Sequence, residues 1–488
     1  MSLEIELILL MPVAGALASL LSPGRIAALA TSAASALALL FAAAACAGPL
    51  LDGPAIEYGP WYADGLSAVF LLLTCIVCLA SSVYSYGYIS EDRREGAVGH
   101  RDERRYYVML NLFSAAMMAV CVVGSMGIMW IAIEVTTLIS AFLVGFYKRE
   151  ADVEASWKYL MICSVGITLG LMGIVLMYAS SAHILGESPD ALEWPVLYGA
   201  AAGLDPTLMK MAFAFVIIGF GTKMGLVPMH TWLPDAHSQS PTPVSAMLSA
   251  ALLNCALYAI LRFLMITEIA VPGFASTILI CFGALSLAAA GAFILISRDF
   301  KRMLAYSSIE HMGIIAIGFG IGSPLAVFGA LIHVMAHSLT KPLMFFSAGN
   351  VIQGYGTRNM DEIRGLRKSM PFTAFMAAAG AAALGGMPPF SVFVGEATVI
   401  WGAVDSGMHA LAAAMAVLLV LVFAGLTRSV LGMMRGDPGR EVREPGGASR
   451  ASAMAALLAA TLALGLFMPD WLGDALRSIA EWFSGGAR

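Results

Sequence analysis

Charge is the first thing this chain has little of. Only 12% of its 488 residues are Asp, Glu, Lys or Arg, against 59% hydrophobic residues and a mean hydropathy of +0.83. Soluble domains carry about 25% charged residues, so a soluble fold is excluded and no nucleic-acid partner is expected. Cysteine is also sparse and scattered. The seven cysteines are Cys46, Cys75, Cys78, Cys121, Cys163, Cys255 and Cys281, mostly alone in apolar runs. Cys75-x-x-Cys78 is the one close pair, and inside an apolar run it reads as core packing. No four-cysteine set points to an iron–sulfur cluster, and no glycine-rich fingerprint points to a nucleotide. No cofactor is therefore expected in this chain, and the electrons of any coupled redox reaction would run elsewhere. The stretch from Met1 to Glu6 is acidic and lacks the basic start of a signal peptide, so the first apolar run is expected to be a retained span.

What is present is a series of apolar segments of about 20 residues, the mark of an all-α polytopic membrane protein. Fourteen spans are expected, at about 5–22, 26–46, 65–90, 106–124, 127–147, 157–179, 209–236, 244–267, 275–297, 303–321, 325–352, 371–403, 408–434 and 452–469. The tail from Asp470 to Arg488 reads as an amphipathic helix at the membrane interface, with Trp471, Leu472, Leu476, Ile479, Trp482 and Phe483 at helical spacing. Alternating spans put Arg25, Arg93, Arg94, Arg101, Arg104, Arg105, Lys148 and Arg149 on one side. Arg298, Lys301, Arg302, Arg358, Arg364, Arg367, Lys368, Arg435, Arg440, Arg443 and Arg450 join them, nineteen of 27 basic residues. The other side receives almost none before Arg477 and Arg488, and its longest loop, from Ser180 to Leu208, holds only acidic charges. The basic side is then cytoplasmic and both termini face out.

Two spans carry breaks. The seventh holds Gly225, Pro228 and Pro234; the twelfth holds Gly385-Gly-Met-Pro-Pro389. Proline removes a backbone donor, and such breaks survive in a bilayer only beside protein or a water-filled cavity. They lie five spans apart, which suggests two inverted five-helix repeats with sites near the midplane. The divisions are 1–104 (helices 1–3), 105–267 (helices 4–8), 275–434 (helices 9–13), and 452–488 (helix 14 with the tail).

Ionisable residues inside spans are costly and by default mark an ion path. Span five has Glu134, span six Lys158, span seven Lys223, His230, Asp235 and His237, span ten Glu310 and His311, and span twelve Glu396. Span eleven has His333-Val-Met-Ala-His337-Ser-Leu-Thr-Lys341, whose i, i+4, i+8 spacing makes a stripe about 12 Å long on one helix face. Lys158 and Glu310, placed near span ends, can also be read as a snorkelling side chain or a cap. His230 and His237, near an aqueous mouth, can be read as backbone-bonding residues. Glu134, flanked by apolar residues, and Lys223, just before a broken helix, have few such structural readings. His333-x3-His337 could be a metal pair, but Val334 stands where zinc proteases carry glutamate and no third ligand is apparent nearby. A proton relay suits these groups better, because histidine titrates near neutrality and a buried lysine can be tuned there.

Three stretches together resemble a known family: Lys223-Met-Gly-Leu-Val-Pro-Met-His-Thr-Trp-Leu-Pro-Asp-Ala-His237 with the following Ser-Pro-Thr-Pro-Val-Ser-Ala, Ala305-Tyr-Ser-Ser-Ile-Glu-His-Met-Gly313, and His333 to Lys341. They are similar to the antiporter-like subunits of respiratory complex I, Mrp cation/proton antiporters and group 4 membrane-bound hydrogenases, over about residues 60–430. Glu310-His311 and the run from Lys341 to Asn350 look most like the hydrogenase-4 component F branch. The resemblance implies a fourteen-helix core and a proton route through paired Glu134 and Lys223 with Lys158 beside them. The route would continue through the eighth span to His311, His333, His337 and Lys341, and end at Glu396. It implies a prokaryotic cytoplasmic membrane, other membrane subunits, and a cytoplasmic-side redox arm with iron–sulfur clusters and a nickel–iron centre in partner subunits. Protons or sodium ions would be carried.

One departure concerns the eighth span. Many relatives carry a lysine there, where this chain has Asn254, and others a histidine nearer its start, where this chain has Ser249. Neither titrates near neutrality, so water held by Ser249, Asn254 and Tyr258 would have to bridge the centre. A second departure is the end of the chain after span fourteen, without a long lateral helix. Two other readings stay open: an Mrp-type antiporter module or membrane partner in inorganic-carbon uptake without redox partners, and an inert scaffold that docks other subunits.

Overall fold

The computed structural model describes residues 2–22, 24–51, 55–186, 188–439 and 441–485. Met1, Arg440, Arg488 and the last three residues of the expected tail therefore lie outside the described residues. The chain is built from helices. α1 (Ser2–Leu21), α2 (Arg25–Leu50) and α3 (Gly65–Arg94) come first, with a two-stranded hairpin, β1 (Ile56–Tyr58) and β2 (Trp61–Ala63), between the second and third. α4 (His100–Val120), α5 (Met126–Val144) and α6 (Glu150–Leu185) follow, then the short α7 (Trp194–Ala200). α8 (Pro206–Met224) and α9 (Trp232–Gln239) share the seventh expected span; α10 (Thr242–Met247) and α11 (Leu253–Ala270) share the eighth. Next come α12 (Phe274–Ile296), α13 (Phe300–Ile321), α14 (Pro324–Tyr355) and the short α15 (Leu366–Ser369). α16 (Pro371–Leu384), α17 (Ser391–Asp405), α18 (His409–Met434), α19 (Ala448–Leu466) and α20 (Asp470–Gly485) complete the chain.

Every expected span falls on a helix or a helix pair. Among the described residues, eleven helical stretches, two of them the pairs α8–α9 and α10–α11, are long and apolar enough to cross a membrane. The three other stretches are α4, which opens on a charged turn, α14, which carries the histidine and lysine stripe, and the split pair α16 and α17. Polar content and the break keep these three out of the apolar set. Two basic residues expected in loops are internal. Lys301 and Arg450 are each 2% exposed, the first in α13 and the second in α19.

Both expected breaks are present and are built alike. α8 stops at Gly225 (φ 81°) and α16 is followed by Gly386 (φ 69°), each with a proline three residues on, Pro228 and Pro389. Left-handed backbone at these positions suits glycine, and proline then prevents the helix from resuming at once. The eighth span runs through the middle of the molecule: every residue from Thr242 to Thr267 is buried. Between α10 and α11 it contains a π-turn, Leu248–Leu252, a local widening that often accompanies functional positions in helices.

A buried ion pair anchors the early helices to this central span. Arg262 of α11 donates two hydrogen bonds of 2.7 Å to the carboxylate of Asp64, which also caps α3 by accepting from the Ser67 amide at 2.9 Å. The Arg262 guanidinium stacks over Trp194 at 4.4 Å, and the Trp194 indole donates to the Arg262 carbonyl at 3.0 Å. α20 is amphipathic, as expected, and its apolar face rests on the chain itself. Leu472, Leu476 and Ile479 are buried, Phe483 lies 5.3 Å from the Phe319 ring, and Trp471 stays exposed.

Candidate functional site

α13, α14 and α17 build the densest group of buried ionisable side chains. His333, His337 and Lys341 share the inner face of α14, each at 0% exposure, as their spacing requires. Across from them, Glu310 and His311 sit in mid-helix on α13, also at 0%. Glu310 neither snorkels nor caps; the cap of α13 is Asp299, which accepts from the Arg302 amide. The Glu310 carboxylate lies 3.4 Å from His311 Nε2, and His311 Nδ1 lies 2.9 Å from His333 Nε2. The His337 ring is 5.3 Å from that of His311. Glu396 of α17 closes the group: one ligand atom from each of His311, His333 and Glu396 lies within 4.8 Å of the other two. Lys341 Nζ donates to the Leu304 carbonyl and the Ser307 hydroxyl, both at 2.9 Å.

Two glycines let Glu396 reach the group. A Cβ at Gly395 would stand 2.8 Å from His333 Cα, so only glycine allows α17 so close to α14. A Cβ at Gly386 would stand 2.0 Å from Glu396 Oε2, so the helix break also makes room for the carboxylate. Several buried polar atoms here have no protein partner: both Glu310 oxygens and both His337 nitrogens. Buried polar groups are ordinarily paired with protein or ordered water, and this concentration of unpaired ones is what a hydrated path needs.

The central span touches this group through its non-titrating residues. Ser249, in the π-turn, shares a 2.7 Å hydrogen bond with Ser308 of α13. Asn254 Nδ2 donates to the Ser338 hydroxyl of α14 at 2.7 Å, next to His337, and to the Ala250 carbonyl at 2.8 Å; its Oδ1 has no protein partner. Tyr258, expected to support the same axis, does not. Its hydroxyl bonds Ser67 at 2.9 Å and Arg262 at 3.0 Å, because Arg262 lies one helical turn further along the same face and draws it into the Asp64 anchor.

On the other side of the central span, Lys223 is fully buried, with Nζ donating to the Thr137 hydroxyl at 2.9 Å and to the Tyr159 hydroxyl. Tyr159 in turn shares a 2.6 Å bond with Ser140. Glu134 is half-buried and accepts from the Ser164 hydroxyl at 3.0 Å, without a direct ion pair to Lys223. Lys158 stands apart from both. It is exposed and pairs with Glu154 at 2.5 Å and Asp235 at 3.4 Å, in the third turn of α6. Asp235 also pairs with Arg302. His237 is buried and donates Nδ1–H to the Leu233 carbonyl at 2.8 Å, the backbone-bonding arrangement. His230, half-buried in the break, lies 6.2 Å from the Phe293 ring and outside the buried group.

The family described as NADH:quinone oxidoreductase/Mrp antiporter, TM matches residues 124–422, which include the residues described above from Glu134 to Glu396. The chain belongs to this family. Among similar proteins, a hydrogenase-4 component F homolog of Methylacidiphilum infernorum is 39% identical over 376 residues, 77% of this chain and 79% of that one. An NADH-quinone oxidoreductase subunit N of Desulforudis audaxviator is 31% identical over 353 residues, 70% of this chain and 66% of that one. Two solved structures share the fold: a chain of the Mrp complex from Dietzia sp. (TM-score 0.86, 22% identity, covering 100% of this chain and 98% of that one) and a chain of an archaeal membrane-bound sulfane sulfur reductase (TM-score 0.87, 23% identity, covering 100% and 99%). The protein is thus an antiporter-like membrane subunit of the complex I, group 4 hydrogenase and Mrp group.

In this antiporter-like subunit the hydroxyl partners were not foreseeable one by one. Tyr159, Thr137 and Ser140 around Lys223, Ser164 beside Glu134, and Ser307, Ser308 and Ser338 in the second half are uncharged and do not stand out in apolar helices. A signal did exist for Ser338, which adjoins His337, and for Ser307 and Ser308, three and two residues before Glu310. The buried Lys301, whose Nζ donates to the Ser240 carbonyl, was hidden among loop charges.

Proposed function

We propose that this subunit carries protons, or sodium ions, across a prokaryotic cytoplasmic membrane as part of a larger complex. The observation that carries this reading is the buried sequence Glu310, His311, His333 and Glu396, in which carboxylate, two imidazoles and carboxylate follow one another at short range. Groups in this order pass protons by exchange and reorientation, directly or through bridging water. Lys223 with Tyr159 and Glu134 forms the first-half counterpart, and Asn254 with Ser338 and Ser249 with Ser308 lie between the two. A cavity of about 650 Å³ lined by Asp92, Tyr147, Lys301, Gln353 and Arg358 opens at the end of the molecule that carries most basic residues, and suits an entry from the cytoplasm.

In this proposal fourteen spans cross the membrane with both termini outside, and residues 105–267 and 275–434 act as two inverted five-helix units. The shared construction of the breaks at Gly225 and Gly386 supports that arrangement. Redox subunits on the cytoplasmic side, carrying iron–sulfur clusters and a nickel–iron centre, drive the transport, in keeping with the similarity to a hydrogenase-4 component F homolog. The test is Glu134→Gln and Lys223→Ala in the assembled complex in proteoliposomes. Proton uptake coupled to electron transfer is expected to fall at least about 100-fold, the lower end of what a general acid–base step contributes, while the complex stays assembled. Unchanged uptake in both variants would support the scaffold reading instead.

A further inference from the structure

We propose that His311, His333 and Glu396 form a binding site for a divalent transition metal of the zinc type. The sequence spacing alone argues against a metal, because the natural pair, His333 and His337, has no third ligand on its own helix. Folding changes the set. The two imidazoles that meet are His311 of α13 and His333 of α14, with nitrogens 2.9 Å apart, and the carboxylate comes from α17. Zinc holds imidazole nitrogens and carboxylate oxygens at about 2.0–2.2 Å. Two nitrogens 2.9 Å apart need to spread only by a few tenths of an ångström to bind one ion at those lengths. The Glu396 carboxylate already has an oxygen within 4.8 Å of both nitrogens.

The outer contacts match as well. His311 turns Nδ1 toward the site and Nε2 toward the Glu310 carboxylate, 3.4 Å away. At 3.4 Å this contact is not a formed hydrogen bond; closing it would give the carboxylate–histidine–metal arrangement, in which the outer carboxylate fixes the tautomer and makes the imidazole a better ligand. With His311 as the Nε2–H tautomer, its Nδ1 lone pair is free for the metal. The His333 ring supplies Nε2 in the same way, with its proton on Nδ1. Two carboxylates and two neutral imidazoles offset a +2 ion at a fully enclosed position. Three protein ligands leave a fourth position for water, as in open zinc sites. At the α16–α17 break, Gly386 adjoins the Glu396 carboxylate and Met387 is 47% exposed.

Occupancy by a metal would remove both imidazoles from proton exchange, so a bound ion would stop transport; this consequence rests on the relay proposed above, whereas the binding does not. The purified complex containing this chain is titrated with Co²⁺, and visible d–d absorption and metal content are recorded. One Co²⁺ per chain with the strong absorption of a low-coordinate site is expected, displaced by Zn²⁺. His333→Ala is expected to abolish it, and Glu310→Gln, which leaves the three ligands in place, to weaken it about 10–100-fold. His237→Ala, in a complex of the same elution volume, is expected to leave it intact. Absence of a stoichiometric site in the unmutated complex, or a site unchanged in both His333→Ala and Glu310→Gln, would overturn the assignment. Binding as expected without loss of proton transport would leave the site standing and count against the relay.

Discussion

Arg262 shows how much a single residue can organise here. It is 2% exposed at its side chain, as is fitting for a guanidinium paired bidentately with Asp64 and stacked on Trp194. Removing one partner of a buried pair leaves the other charge unpaired, which costs about 3–5 kcal/mol. Arg262→Met is therefore expected to lower the thermal unfolding temperature of the purified protein sharply, with Arg262→Met/Asp64→Asn recovering part of the loss. Equal unfolding temperatures for the single and double variants would argue that the charge left on Asp64 is not the cause. The same residue explains why Tyr258 was misplaced from sequence. Positions 254, 258 and 262 share a helix face, and the face is divided: Asn254 reaches Ser338, whereas Tyr258 joins Arg262 and Ser67. Periodicity finds a face but not the point along it where one network ends and another begins. Charged residues in apolar runs were legible because the bilayer makes them conspicuous; Ser164 and Thr137 were not, because a hydroxyl can satisfy itself on its own helix and needs no site.

At the scale of elements, the decisive feature is how closely α17 lies on α14. Gly395 faces His333, and Gly402 faces Ala326, where an added Cβ would stand 2.7 Å from Ala326 Cα. Gly395→Ala pushes backbone against backbone, an overpacking that costs about 1–3 kcal/mol. It also moves Glu396 away from His311 and His333. The variant is expected to assemble, with proton uptake in proteoliposomes reduced as much as by Glu396→Gln. Near-normal uptake would mean that the close approach serves packing alone. The broken helices were legible from proline and glycine, and the span positions from hydropathy. The pairing of His311 with His333 was not, since 22 residues separate them and only the α13–α14 packing brings their faces together. Nor was the π-turn at Leu248–Leu252, which falls in a run of Leu, Ser and Ala with no residue that breaks a helix.

Across the whole molecule, the two ionisable groups lie on either side of a central span that has no titratable lysine or histidine between Thr242 and Ala270. The sequence poses this gap plainly, and the structure fills it with hydrogen bonds from Asn254 to Ser338 and between Ser249 and Ser308. In the proposed relay, transport from one half to the other depends on polar side chains that orient a path rather than carry charge. The most direct measurement is proton uptake per electron pair by proteoliposomes containing the assembled complex with Asn254→Leu, a change of similar size that removes the donor to Ser338. The account predicts a marked drop in proton uptake per electron pair with electron transfer retained. Uptake per electron pair equal to that of the unmodified complex would contradict it.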